Sequence, residues 1–181
     1  MNVIFEEDIR KESLKNMAEK ILISARTAPK AKGIDNLAMA YVDKDVIEII
    51  SDKMKEMYEI NKLPETFIND SKNILSADIL VLIGTKINPI YVTHCGLCGF
   101  KDCNEKNKYP NNPCAYNTGD LGIAIGSAVS VAMDARVDNR IMRTVGKAVQ
   151  QLKLLGEDIK IVYGIPLSSN GKNPFLIGNF K

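Results

Sequence analysis

The sequence predicts a single mixed domain of helices and strands that carries one irregular, cysteine-rich insert. Three observations lead there. Segments with apolar residues at helical spacing alternate with short, nearly unbroken apolar runs of strand length. The 181 residues, 45% apolar and 25% charged, are enough to bury one core and have an ordinary globular composition. Between Thr85 and Thr118 both periods vanish, and this stretch holds all four cysteines, the only histidine and three of the seven prolines. No repeat or linker divides the chain, so residues 1–181 read as one domain with a cysteine-rich loop at about 85–118.

Ile9, Leu14, Met17, Ala18, Ile21, Leu22 and Ala25 recur at helical spacing and predict a helix from about Glu6 to Arg26, stopped by Pro29. Leu37–Val42 reads as a short buried strand. A helix follows from about Asp45 to Asn61, with Val46, Ile49, Ile50, Met54 and Met57 on one face. A weaker helical stretch, Glu65–Leu75, leads to the strand Asp78–Gly84, whose unbroken apolar run implies that both of its faces are covered. After the loop, Thr118 or Asp120 is placed to cap a helix running to about Ala135. Another helix spans about Asn139–Leu155. The last strand is Ile159–Ile165, followed by a polar tail from Pro166 to Pro174.

Charge and targeting signals narrow the function classes. A net charge of +2 gives no field for nucleic acid or a membrane surface. The longest apolar stretch, Leu121–Met133, is too short to span a bilayer. The opening MNVIFEEDIRKESLK has no basic start followed by an apolar run, so a cytoplasmic protein is expected. In that compartment cysteines stay as thiols or serve as ligands.

The candidate metal ligands are Cys95, Cys98, Cys103 and Cys114, in the pattern C-x2-C-x4-C-x10-C. Thiolates are soft ligands suited to iron–sulfur clusters and zinc. A C-x2-C turn brings two sulfurs to one site, and Gly96 and Gly99 free the backbone around it. Pro113 stiffens the approach of Cys114. Three readings compete at this point. Structural zinc usually takes two C-x2-C pairs, and the chain has one. Disulfides need an oxidising compartment. An iron–sulfur cluster accepts uneven spacing with a remote fourth cysteine. His94 stands beside Cys95 as a substitute ligand or a neighbouring group. The run Cys-Gly-Leu-Cys-Gly-Phe-Lys-Asp-Cys resembles the C-G-x-C-G-x-x-x-C segment of small four-iron domains in corrinoid and electron-transfer proteins, which implies [4Fe-4S].

Two further segments carry candidate chemistry. From Lys20 to Lys32 the chain has Lys20, Arg26, Lys30 and Lys32 and no acidic residue. This turn reads either as a phosphate site or as cations set against a helix C-terminus. Gly122 and Gly126 lie inside an apolar helical run, not after a strand, so they form no dinucleotide fingerprint and read as core or a subunit interface. Lys172 is the one cation of the tail, which closes over an anion or lies free on the surface.

Ala25-Arg-Thr-Ala-Pro29 resembles the A-x-x-A-P-S turn of the nitroreductase family. With the cysteine loop included, the whole chain resembles an uncharacterised family of ferredoxin-domain proteins through ARTAPKAKG, CGxCGxxxC, DLGIAIGSAVS, DNRIM and GIPLS. The resemblance implies an α+β fold with a central, largely antiparallel sheet flanked by helices, and a homodimer with flavin (FMN) at the subunit boundary. By position it implies that Arg26, Thr27, Pro29 and Lys30 lie near the flavin, with Lys172 at its phosphate. The chain departs from the pattern in having Lys30 where Ser is expected and no Arg-Arg-Ser segment ahead of the turn. The expectation is an iron–sulfur oxidoreductase or electron-transfer protein, also binding FMN, that serves a small molecule or a partner protein. The alternative is a non-enzymatic module holding structural zinc or a redox-sensing cluster.

Overall fold

The computed structural model describes residues 3–176. At its centre is β2 (Ile79–Lys86), paired antiparallel with β1 (Leu37–Val42) on one side and with β4 (Ile159–Ser168) on the other. The two-residue β3 (Asp138–Asn139) pairs with the end of β4, giving the order β1-β2-β4-β3. Alternation along β2 explains its unbroken apolar run. Ile79, Val81 and Ile83 face one core and Leu80 and Leu82 face another, so both sides of the strand are covered.

One face is covered by α1 (Glu6–Thr27) and α5 (Ala115–Asp134). Ala18 and Ala25 of α1 meet Ala124, Ala128 and Ala132 of α5, and side chains this small let the helices approach closely. Two reciprocal hydrogen bonds fix that approach: Ser24 Oγ donates to the Ser127 carbonyl at 3.1 Å, and Ser127 Oγ to the Ser24 carbonyl at 3.0 Å. The other face is covered by α2 (Lys44–Asn61), α3 (Thr66–Asn73) and α6 (Arg143–Gln151). Here α6 rests directly on β4, because a Cβ at Gly146 would lie 1.7 Å from the Val162 carbonyl oxygen. Buried Asp70 of α3 accepts from Thr144 Oγ1 at 2.6 Å and Arg140 at 3.3 Å. Arg140 also donates to the Phe175 carbonyl at 2.9 Å, so this node pins the tail while the Phe175 ring fills the core. Among the described residues no helix is long and apolar enough to cross a membrane.

Several sequence expectations are corrected. The long helix starts at Ala115 with Cys114 in the cap position, not at Thr118 or Asp120. The helix expected from Asn139 to Leu155 is only Arg143–Gln151, since Asp138–Asn139 pair as β3 and Met142 bridges Gly164. In α2, Ile49 faces solvent and Ile47 takes its place in the core, and in α1 Ile9 is exposed. Gly122 and Gly126 are not core, since both lie on the exposed face of α5, whereas Ala128 lies on its inner face. The last strand continues through Pro166 to Ser168. The Gly164 N–H donates to the Met142 carbonyl on the outer edge, so Pro166, two residues on, turns its nitrogen to that same edge. No bond of the β2 ladder is lost there.

Candidate metal centre

Beyond β2 the chain leaves the sheet for an irregular loop, interrupted only by the short α4 (Cys103–Asn107), and returns at Cys114. Local chemistry shapes each turn. His94, Gly96 and Gly99 hold φ of +53°, +59° and +83°, and the Gly99 N–H donates to the Gly96 carbonyl at 2.9 Å. The chain thus curls tightly between Cys95 and Cys98, where glycine carries the left-handed backbone at least cost. Asp102 caps α4 by accepting from the Glu105 N–H at 2.8 Å, and the Glu105 carboxylate reaches back to the Lys101 N–H at 2.7 Å. This is a variant of the capping box, with the return bond one residue ahead of the cap, and its Asp-x-x-Glu spacing is readable in the sequence. Phe100 stacks on Tyr109 with ring centroids 5.3 Å apart, closing the loop over α4.

The result brings Cys95, Cys98, Cys103 and Cys114 to the wall of one recess of about 410 Å³, counting the part open to solvent. None of the four is in a disulfide; Cys114 is buried and the other three are half-buried. Cys103 opens α4 and Cys114 is the cap residue of α5, so the positive end of the α5 dipole lies beside the Cys114 side chain. Among the described residues no three His, Cys, Asp or Glu side chains converge on a point that would hold a single ion. The four cysteines share the lining of one recess. His94, exposed, lies at the rim of the recess.

The basic turn is differently committed. Arg26 Nη1 pairs with Asp35 at 2.7 Å and donates to the Leu37 carbonyl at 3.2 Å. The Lys30 ammonium donates to the carbonyls of Ala25, at 2.9 Å, and of Arg26, which closes the C-terminus of α1. Thr27 Oγ1 bonds back to the Ile23 and Ser24 carbonyls, and Pro29 is exposed. Burial alone would raise the Asp35 carboxyl, but the Arg26 hydrogen bond, the Leu37 N–H and the charges of Arg26 and Lys30 outweigh it and hold it below the usual carboxylate range. Lys172 is not brought to this turn. Leu37 is level with Thr85 and Ile161 at one end of the sheet, and β4 runs to Ser168 at the other, so Lys172 leaves from the far end and the far edge.

What the turn does meet is the cysteine loop. Lys32 Nζ lies 3.4 Å from the carbonyls of Ile90 and Tyr91, both at the recess wall. The Ala31 N–H donates to both oxygens of Asp120, at 3.2 and 3.1 Å, two turns along α5 from Cys114. Asn117, between them, accepts from the Asn88 N–H at 2.8 Å, and Asn88 Nδ2 donates to Asn36 at 3.0 Å. The start of α5 therefore joins the sheet, the basic turn and the loop, an arrangement with no trace in sequence spacing.

The architecture is shared with flavin oxidoreductases. An oxidoreductase containing FMN covers 87% of this chain and 68% of its own at a TM-score of 0.59 and 16% identity. A nitroreductase with bound FMN from Bacteroides fragilis covers 86% and 77% at 0.60 and 12%. A BluB-like flavoprotein from Clostridium difficile covers 87% and 82% at 0.56 and 18%. At these identities the likeness establishes the fold alone: an α+β, nitroreductase-like architecture with a central antiparallel sheet. A family profile described as "Uncharacterized protein containing a ferredoxin domain (DUF2148)" matches residues 111–176, which include Cys114 and exclude the other three cysteines. A protein of Archaeoglobus fulgidus is 38% identical over 177 residues, 94% of each chain. The chain belongs to this ferredoxin-domain family.

Proposed function

We propose that Cys95, Cys98, Cys103 and Cys114 hold an iron–sulfur cluster of the [4Fe-4S] type and that the protein transfers electrons, as an oxidoreductase or as a carrier. The observation that carries this reading is the single recess lined by all four cysteines. The donor set fits: four soft ligands, two held by a glycine-relieved turn and two at helix starts. When bound, the cluster supplies one-electron chemistry. The chain's own part is to orient the thiols, to shield one of them within the protein and to leave the rim open to a partner or small molecule. Protein prepared without oxygen is expected to contain iron and acid-labile sulfide and to show a broad brown absorbance. Zinc with neither would overturn the cluster.

FMN is the second half of the reading, favoured by the fold. Within one chain the turn does not form a phosphate cradle, because Arg26 and Lys30 already serve Asp35, Leu37 and α1, and Lys172 lies elsewhere. No step is assigned to flavin. The same pairing favours the rival, a metal-binding module without flavin. Titration of apoprotein with FMN decides, with no binding at high micromolar FMN removing the flavin. A homodimer is proposed through the outer face of α5, where Gly119, Gly122, Ile123, Gly126 and Met133 form an exposed, largely apolar stripe. Sedimentation as a monomer at micromolar concentration would reject it.

A further inference from the structure

A second cleft shares no lining residue with the cysteine recess. It lies between α6 and the first half of β4 and encloses about 380 Å³, counting the part open to solvent. Its lining holds three cations, Arg143, Lys147 and Lys160, and no carboxylate. Arg143 and Lys147 stand four residues apart on α6, with Gln150 nearly a turn further on, so all three share one helix face. Like charges so spaced destabilise a helix. Among the described residues the ion pairs leave all three of these cations out. Lys160 Nζ donates to the Glu157 carbonyl at 2.8 Å, and the Arg143 guanidinium lies over the Phe67 ring at 6.0 Å. The two acids nearest Lys160 in sequence are taken, Glu157 by Lys153 and Asp158 by Lys86.

The backbone adds a donor. β3 pairs only with Leu167 and Ser168, so before the Met142 bridge to Gly164 this edge of β4 has no strand partner. The Gly164 N–H is turned to that edge, and the Val162 N–H, two residues earlier, is turned the same way. Gly146 lets α6 lie against it, since a Cβ there would meet the Val162 carbonyl. The cleft thus presents positive charge and donors and lacks the negative charge that would satisfy them. The basic turn differs, because Asp35 and the end of α1 already satisfy its cations. We propose that this cleft binds a phosphate group, free or carried by a small organic molecule, with Arg143 and Lys147 as its principal partners. A phosphate dianion accepts several charge-assisted hydrogen bonds at once, and a guanidinium meets two of its oxygens together. The inference stands on α6 and β4 alone and does not depend on the metal in the recess.

The test uses the anaerobically purified full chain at constant ionic strength. Binding of radiolabelled inorganic phosphate is read by equilibrium dialysis, with phenyl phosphate as competitor. Wild type is expected to bind phosphate saturably. Arg143→Gln and Lys147→Gln are each expected to weaken that binding about tenfold. Lys153→Gln is expected to leave it unchanged, because Lys153 lies outside the cleft and is paired with Glu157. Displacement by phenyl phosphate at a lower concentration than unlabelled phosphate needs would identify an organic phosphate as the ligand, and displacement at equal concentrations the free anion. If Arg143→Gln does not fold, having also lost the Phe67 contact, Lys147→Gln gives the same reading. No retention by wild type at high millimolar phosphate overturns the proposal. An equal loss in Lys153→Gln overturns it too, since that result marks general surface charge.

Discussion

The sheet with its five covering helices and the cysteine loop are held by different physics. In the first, β2 is buried on both faces, the alanines of α1 and α5 interlock, and α6 lies on the backbone of β4. In the second, a capping box, one aromatic stack and a few turns organise a mostly exposed loop. The lesson is that the scaffold carries its own stability through burial, whereas the loop has little apolar surface of its own, and the proposed metal centre would be what fixes it.

The comparison breaks most severely at Gly146. Gly146→Val has to displace the Val162 carbonyl, and we expect a loss of about 3 kcal/mol or more in urea unfolding, with the loop chemistry untouched. Next comes Leu82→Ala in the centre of β2, expected to cost about 2–5 kcal/mol by the same measurement. Cys103→Ser sharpens the contrast from the other side. Iron content should fall well below wild type and proteolysis of the loop should rise, while far-ultraviolet circular dichroism of the apoprotein stays the same. If both regions fail together, the loop and the scaffold are not held independently. Asn117→Ala removes the acceptor that joins the loop to α5, and about 1 kcal/mol is expected, with faster hydrogen exchange at Asn88.

The smallest effect belongs to Arg26 and Asp35, a half-exposed pair worth under about 1 kcal/mol. The sign follows from Asp35, whose carboxyl is held below its usual range in the folded protein. Its contribution is full at neutral pH and is lost as pH falls through that depressed value. Asp35→Asn should therefore be less stable than wild type at neutral pH, and acid unfolding curves should converge at low pH.

The scaffold was more legible in the sequence than the site. The run Ile79–Ile83 announced a strand covered on both sides because its residues have no polar face to offer water. In α2 four apolar residues in five positions, Val46 to Ile50, left the helical phase open, and only packing selects Ile47 over Ile49. The two-residue β3 has no period to detect. In the loop, cysteine spacing pointed to a shared site, but nothing in the sequence marks Lys106 as a residue that folding buries. Its burial arises from tertiary folding of the loop. The basic turn shows the opposite error, since cations that suggested an anion site are satisfied by Asp35 and the end of α1.

Asp120 and Cys114 lie on one helix, and Asp120 holds the backbone of the basic turn through the Ala31 N–H. Loss of the Asp120 carboxylate would therefore loosen two places at once, the backbone of the turn and the helix whose cap is Cys114. Measuring iron retention against a chelator in Asp120→Ala would thus report on the turn without any assay of electron transfer.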